Sequence, residues 1–493
     1  MPEQQPFTPA SSPERAGIPS EAVFRFLERI DREQICMHGF LLVHWGQVAA
    51  EGYWAPFTAD RLHRMYSTSK SFVSLAIGLM IDEGRLSLND RVIDFFPDKA
   101  PEAVHPWLAN ATIRDLLMMA SPHSKNAYTV DDSDWAWCFF NLHPSHPPGT
   151  IFAYDTAATV VLNTIVERLS GQPFLDYMRP KLLDPIGFSP NAWCIKTPEG
   201  TSWGGSGVLC TLQDMAKVAL VCLNQGRWAN CQLISQDYIR AATQKQIDNS
   251  IEGRVGYGYQ IWREKENGFS FRGMGSQLAL CFPDKDFIFA CIADTQGAGA
   301  TGSGIEEAMW EELYPALADK PLPENPMAHE KLENKIRQLK ILPQAGERTS
   351  PFVERIHDRW YKLEPNPMGI RRTKLVFNAD EVQWSYTNEQ GDQTLHFGIG
   401  NCRQDQFPQK NYFGDQIGKR PGRLYQCLNS AAWVEPHKLN FLVYITDIYL
   451  GTLKITMAFK DHEIALYMTK AAEWFLDEYQ GFAGGCLMDE GDV

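Results

Sequence analysis

Apolar residues recur along this chain in two patterns, and the difference separates candidate helices from candidate strands. After Ser20, the residues Ala22, Val23, Phe26 and Leu27 stand at helical spacing and predict an amphipathic helix. Gly39 to His44 and Val48 to Trp54 are short β-like runs around Trp45-Gly46-Gln47, which predicts a hairpin. The run from Val73 to Ile81 is apolar almost throughout, so it predicts a helix buried on most sides and closed by Glu83-Gly84. Ala157 to Ser170 predicts a second buried helix, with Val160, Val161, Leu162, Ile165, Val166 and Leu169 inside and Gly171 as its cap. Thr112 and Thr211 each precede an aspartate by three residues, Asp115 and Asp214, and read as capped helix starts.

From Val255 to Ala293 the pattern changes to an antiparallel meander of four strands, Tyr257 to Trp262, Phe269 to Arg272, Gln277 to Phe282 and Phe287 to Ala293. The last is apolar throughout and is expected at the centre of its sheet. Pro321, Pro323 and Pro326 then mark a linker, followed by a charged amphipathic helix near Glu330 to Leu339. Beyond Pro351 the chain is β-rich, with runs at 375–377, 439–445, 453–459 and 464–468. These shifts divide it into a domain over 1–319, whose first 20 residues form a surface arm, a linker and helix over 320–350, and a separate sandwich or barrel over 351–493.

Composition narrows the partners. With 46 basic against 60 acidic residues the formal net charge is -14, which disfavours nucleic acid and anionic membranes. No segment approaches the ~18 apolar residues of a membrane span, and the start of the chain lacks the features of a secretory leader, so a cytoplasmic location is expected. The 11 cysteines include no CxxC pair, and Cys210, Cys222, Cys281 and Cys291 sit among apolar neighbours, as buried reduced thiols do. A small-molecule substrate is the expected partner, and self-association into a homo-oligomer stays open.

Candidate chemistry begins at the first buried helix, whose opening turn holds Ser67 and Lys70. Residues three apart share a helical face, so the Lys70 amine reaches the Ser67 hydroxyl, and the pairing explains a lysine at a buried position. This is the SxxK arrangement of a serine nucleophile. Tyr154, just ahead of the second buried helix, reads either as a packed aromatic or, with its pKa lowered beside Lys70, as the base that takes the serine proton. The stretch Ser121 to Thr150 reads as a loop. Its Asp131, Asp132, Asp134, His143 and His146 match no metal-ligand spacing and read as solvated polarity, so no metal and no cofactor is expected. Trp135 and Trp137 in the same loop are candidates for a pocket wall. Trp203-Gly204-Gly205-Ser206-Gly207 reads as a tight turn that lets backbone approach the site.

Taken in order, these pieces resemble the serine β-lactamase-related family, which joins class C β-lactamases, low-molecular-weight penicillin-binding proteins, D-aminopeptidases, family VIII esterases and nylon-oligomer amidases. The resemblance rests on Tyr66-Ser67-Thr68-Ser69-Lys70 and Tyr154-Asp155-Thr156, with Asp82-Glu83-Gly84, Pro148-Gly149-Thr150 and the turn from Gly204 around them, over roughly residues 10–310. It implies an α+β (α/β) domain, an antiparallel sheet flanked by helices plus an all-helical region, followed by the β-rich domain, lipocalin-like if a barrel. It further implies Ser67 as the acylated nucleophile, Lys70 as its proton partner and Tyr154 as the base that returns the proton to the leaving group. Thr156 stands where many members have asparagine. Phe271-Arg272-Gly273 is placed as the third motif, so Phe271 replaces the cation that grips a substrate carboxylate, Arg272 faces away, and the backbone N–H groups of Ser67 and Met274 form the oxyanion hole. The resulting expectation is a serine hydrolase on small, largely uncharged esters or amides. β-Lactamase or D-aminopeptidase activity, and a catalytically idle binding module, are the alternatives.

Overall fold

The structure, a computed structural model, describes residues 6–249, 255–297 and 303–488. Residues 1–5 of the expected amino-terminal arm therefore lie outside the described part. The chain forms two compact units, the first made of residues 1–295, 302–340 and 415–419, the second of 296–301, 341–414 and 420–493.

A seven-stranded sheet organises the first unit. Its strands are β1 (Thr8–Pro9), β2 (Met37–His44), β3 (Gln47–Tyr53), β4 (Trp262–Arg263), β5 (Phe269–Gly273), β6 (Gln277–Phe282) and β7 (Phe287–Ala293), in the order β1-β3-β2-β7-β6-β5-β4. All pairings are antiparallel except β1 beside β3. The apolar β7 is the middle strand and all its residues are buried, as a strand covered on both faces requires. The expected strand Tyr257 to Trp262 is largely absent. Gln260 takes a left-handed conformation, φ 56°, gives its N–H to Leu117 and its carbonyl to the Ser71 hydroxyl, and so leaves the ladder.

The helices that bear on the site are α1 (Ser20–Arg32), α2 (Ser69–Asp82), α3 (Trp135–Asn141), α4 (Thr156–Ser170), α5 (Leu212–Leu223) and α6 (Pro326–Arg337). Every residue of α2 from Ser69 to Met80 is buried, because a helix apolar all round has no face to give to water. The capping boxes at Thr112–Asp115 and Thr211–Asp214 are both present. The loop expected from Ser121 to Thr150 contains α3, N-capped by Asp134, so this aspartate serves a helix end. Helix α6 begins four residues earlier than Glu330 and packs on α1, where the Lys335 ammonium bonds Glu28 and Asp31 at 2.5 and 2.6 Å.

The second unit is a barrel. Its strands are β8 (Arg359–Leu363), β9 (Arg372–Asn378), β10 (Glu381–Asn388), β11 (Gly391–Ile399), β12 (Arg403–Phe407), β13 (Tyr425–Glu435), β14 (Lys438–Thr446), β15 (Leu450–Lys460), β16 (Glu463–Ala472) and β17 (Gly481–Leu487). They follow the order β11-β10-β9-β8-β17-β16-β15-β14-β13-β12, and β11 also pairs in parallel with β13 through Gly398 and Ile399. That pairing closes nine strands into a ring and leaves β12 alongside β13. Trp384, Tyr386, Phe397, Phe441, Leu453 and Leu466 lie in its buried core.

All eleven cysteines are free thiols, with Cys210, Cys222, Cys281 and Cys291 buried. No described helix is long and apolar enough to cross a membrane.

Candidate active site

Ser67 lies in a single turn of 3₁₀-helix, Tyr66–Thr68, that runs straight into α2. Each hydroxyl of the motif has a separate partner. Thr68 Oγ1 donates to the Gln277 carbonyl of β6 at 3.1 Å, Ser69 Oγ accepts from the Val208 N–H at 3.0 Å, and the Met65 N–H reaches the Val208 carbonyl at 2.8 Å. The turn is thereby pinned to two strands while Ser67 itself stays partly exposed. Tyr66 holds φ 47°, a strained value for a bulky residue. Its ring is covered by the Arg64 guanidinium at 4.1 Å, which also lies 4.7 Å over Trp203.

Lys70, 1% exposed, sets its Nζ 3.0 Å from Ser67 Oγ and 2.7 Å from the Gly205 carbonyl. The expected close approach of the glycine-rich turn is therefore real: a Cβ on Gly205 would come within 2.5 Å of the Thr156 methyl. Thr156 is the first residue of α4.

Tyr154 completes the arrangement. Its phenol is hydrogen-bonded to Ser67 and its ring lies 4.9 Å from Lys70 Nζ. Its pKa runs against expectation. Tyr154 is 36% exposed as a residue, but the protein packed around its phenol raises the pKa, with the bond to Ser67 opposing this, so the group is protonated at neutral pH. Trp262 stacks on Tyr154 at 5.5 Å, and Tyr257 meets it edge-on at 6.5 Å. The aromatic wall at the tyrosine is thus built by Tyr257 and by Trp262, the first residue of β4.

Asp155 and Gln260 were not singled out as site residues. Asp155 N-caps α4 through the Ala157 N–H at 2.9 Å and accepts from Ser121 Oγ at 3.1 Å. It is fully buried, and burial pushes its carboxyl up to about 6 against the pull of those donors and of the Lys70 charge. A carboxyl raised in the folded state favours folding below the unfolded pKa, near 4, and loses that contribution as pH rises through about 6. Asp155→Asn, which keeps a capping side chain, should therefore gain stability relative to wild type between pH 4 and 7, by roughly 2–3 kcal/mol at the upper end. Paired urea titrations at the two pH values check this, and an unchanged difference would refute it.

Gln260 is a buried strut. Its side chain bonds Thr159 Oγ1 of α4 at 2.7 Å and the Leu116 and Leu117 carbonyls at 2.9 and 3.1 Å, and its own carbonyl takes Ser71 of α2 at 2.8 Å. It ties the serine-bearing helix to the helix that follows Tyr154.

The remaining expected residues fall into two groups. Gly273 ends β5 against the Met65 carbonyl, directly before the serine turn, and Met274, 40% exposed, begins the hairpin tip with its carbonyl held by Gln277 Nε2 at 2.8 Å. Phe271 and Trp135 present no exposed surface. Trp135 stacks on Tyr128 at 3.8 Å and meets Trp203 edge-on at 5.3 Å, so it braces the turn that holds Lys70 from behind. Trp137 is 51% exposed on the outer face of α3. Arg272 sits between Glu264 at 2.7 Å and Glu306 at 2.6 Å. Burial alone would lower its pKa, but the two carboxylates outweigh that and raise it, so its charge is spent inside the fold. Among the described residues no group of three or more His, Cys, Asp or Glu side chains could hold a metal.

The sequence profile of the Beta-lactamase family matches residues 37–313. A 6-aminohexanoate-dimer hydrolase of Paenarthrobacter ureafaciens is 28% identical over 225 residues, 42% of this chain and 57% of the relative. Penicillin-binding protein 4 of Amycolatopsis lactamdurans is 28% identical over 137 residues, 26% of this chain and 35% of the relative. The match spans little more than half of the first of these curated relatives and about a third of the second. A solved structure from Bacillus anthracis, described as a 6-aminohexanoate-dimer hydrolase, superposes with a TM-score of 0.51 at 17% identity, covering 65% of this chain and 91% of the other. At that identity the likeness speaks for the fold alone.

Proposed function

The chain belongs to the Beta-lactamase family of serine hydrolases, and on that premise we propose that it forms an acyl-enzyme on Ser67 and hydrolyses esters or small amides that carry little charge. The observation that carries the reading is Lys70 Nζ at 3.0 Å from Ser67 Oγ, with the Tyr154 phenol bonded to the same serine. Ser67 Oγ attacks the substrate carbonyl while Lys70, once it has given up its resting proton to solvent, accepts the hydroxyl proton. The oxyanion is received by the backbone N–H groups of Ser67 and Met274.

Tyr154, protonated at rest, gives its phenol proton to the leaving group and is recharged by the Lys70 ammonium. The pair then stands ready to activate the water that resolves the acyl-enzyme. This assigns the lysine as base and the tyrosine as acid, the reverse of what a lowered tyrosine pKa would give. The spending of Arg272 on two internal carboxylates supports a substrate without a carboxylate at the third motif, and the relative named for 6-aminohexanoate dimers lends support to the amide arm.

A panel of p-nitrophenyl esters, D-amino-acid amides and β-lactams, run beside fluorophosphonate labelling of Ser67, tests the reading. Turnover of β-lactams above that of esters and amides would overturn the substrate class. Tyr154→Phe should lower kcat by about 10²–10³-fold with little change in KM. The wild-type kcat profile should show no acidic limb from Tyr154 near neutral pH, and such a limb, lost in the phenylalanine variant, would return the tyrosine to the role of base.

A further inference from the structure

The barrel carries a concave site. A pocket of about 700 Å³ is lined by, among others, Lys362, Glu364, Arg371, Arg372, Thr387 and Cys486. Three of these side chains are cations and one is a carboxylate, in a chain whose formal net charge is -14. A field of that sign repels anions over most of the surface, so a concave patch of opposite sign is a local exception.

The sheet places these cations side by side. Lys362 of β8 and Arg372 of β9 are direct cross-strand partners, and Cys486 of β17 pairs with Lys362 on its other flank. Like charges directly opposite one another destabilise a sheet, and a bridging anion removes that cost. Asp392 reaches Arg372 at 3.5 Å, accepts from Thr387 Oγ1 and also feels Arg371, but it is 74% exposed, so solvent screens these contacts. Both guanidinium groups are held at one edge: Arg371 Nη2 donates to the Asn388 carbonyl at 3.2 Å, and Arg372 Nε donates to Thr387 Oγ1 at 2.9 Å. Arg372 is further fixed 4.5 Å over the Trp360 ring. A guanidinium has five N–H donors, so each retains donors for an anionic oxygen at little further entropic cost.

We propose that this pocket binds a small, multiply charged oxyanion, bridged between Lys362 and the two arginines, none of which is among the residues around Ser67. Glu364 and the solvent-screened Asp392 oppose the three cations, so the patch keeps a net positive charge. Binding of this kind is electrostatic, so it weakens as salt rises.

The test uses the full chain and two probes, inorganic pyrophosphate and citrate, which separate phosphate from carboxylate recognition. Calorimetric titration at low salt should give saturable binding of at least one probe. The same probe should slow alkylation of Cys486, which is exposed, as followed by peptide mass mapping. Lys362 and Arg371 are exposed, so the double variant Lys362→Ala/Arg371→Ala should fold normally. It should weaken binding by at least about tenfold while fluorophosphonate labelling of Ser67 stays unchanged. No binding of either probe at millimolar concentration, or equal affinity in the double variant, would overturn the proposal.

Discussion

Ser67→Ala should abolish covalent labelling by a fluorophosphonate and lower turnover of whichever ester or amide the wild type accepts by on the order of 10⁴-fold or more. The effect is large because Lys70 and Tyr154 both direct their polar atoms at this one hydroxyl. Without Oγ neither has a proton to move. Stability should change little, since Ser67 is partly exposed and the hydroxyls that fix the turn belong to Thr68 and Ser69. Intact-mass measurement after labelling, with a thermal melt as the folding control, decides the matter. A labelled alanine variant would move the nucleophile elsewhere.

Gly273→Ala should be the most damaging change that touches no reacting atom. A Cβ there would overlap the Met65 carbonyl oxygen, and its next neighbour is the Gln277 side chain at 3.0 Å. The Met65 carbonyl is backbone and cannot rotate aside, and the Met65 N–H is already tied to Val208. The strain must move either β5 or the serine turn. A displacement of about 1 Å at a site of this kind costs roughly 10²-fold in kcat, and overpacking costs about 1–3 kcal/mol in stability. A kinetic comparison with wild type under conditions where both are folded separates the two losses. Full activity in a folded variant would show that the hairpin and the serine turn are not mechanically coupled.

Much of the site was legible because its residues lie close in sequence. Ser67 and Lys70 are three apart, and a buried helix can contain that lysine only with partners. Tyr154 was legible through the apolar helix that follows it. What was not legible depends on residues brought together from far along the chain. Tyr154 is flanked by Trp262 and Tyr257, more than a hundred residues away. Trp262 was hidden by a run that alternates like a strand. Gln260, in a left-handed conformation, turns that run into a polar strut, and a glutamine carries no sequence signal for this. Trp135 was read as a wall because aromatic residues in a polar loop suggest exposure, but α3 gives the loop an inner face that takes it. In the second unit, alternation marked the strands yet left sandwich and barrel equivalent, because the deciding contact is the parallel pairing of β11 with β13.

The barrel joins its first strand to its last. Tyr361, Lys362 and Leu363 of β8 pair with Leu487, Cys486 and Gly485 of β17. On a ribosome, where strands emerge in order, β8 waits for its neighbour until well over a hundred further residues have been made, and until then β8 and β16 both expose unpaired edges. A chain stopped before Gly481 would carry those edges permanently. The cell would meet it as an aggregation hazard and a substrate for quality control, however complete its Ser67 site.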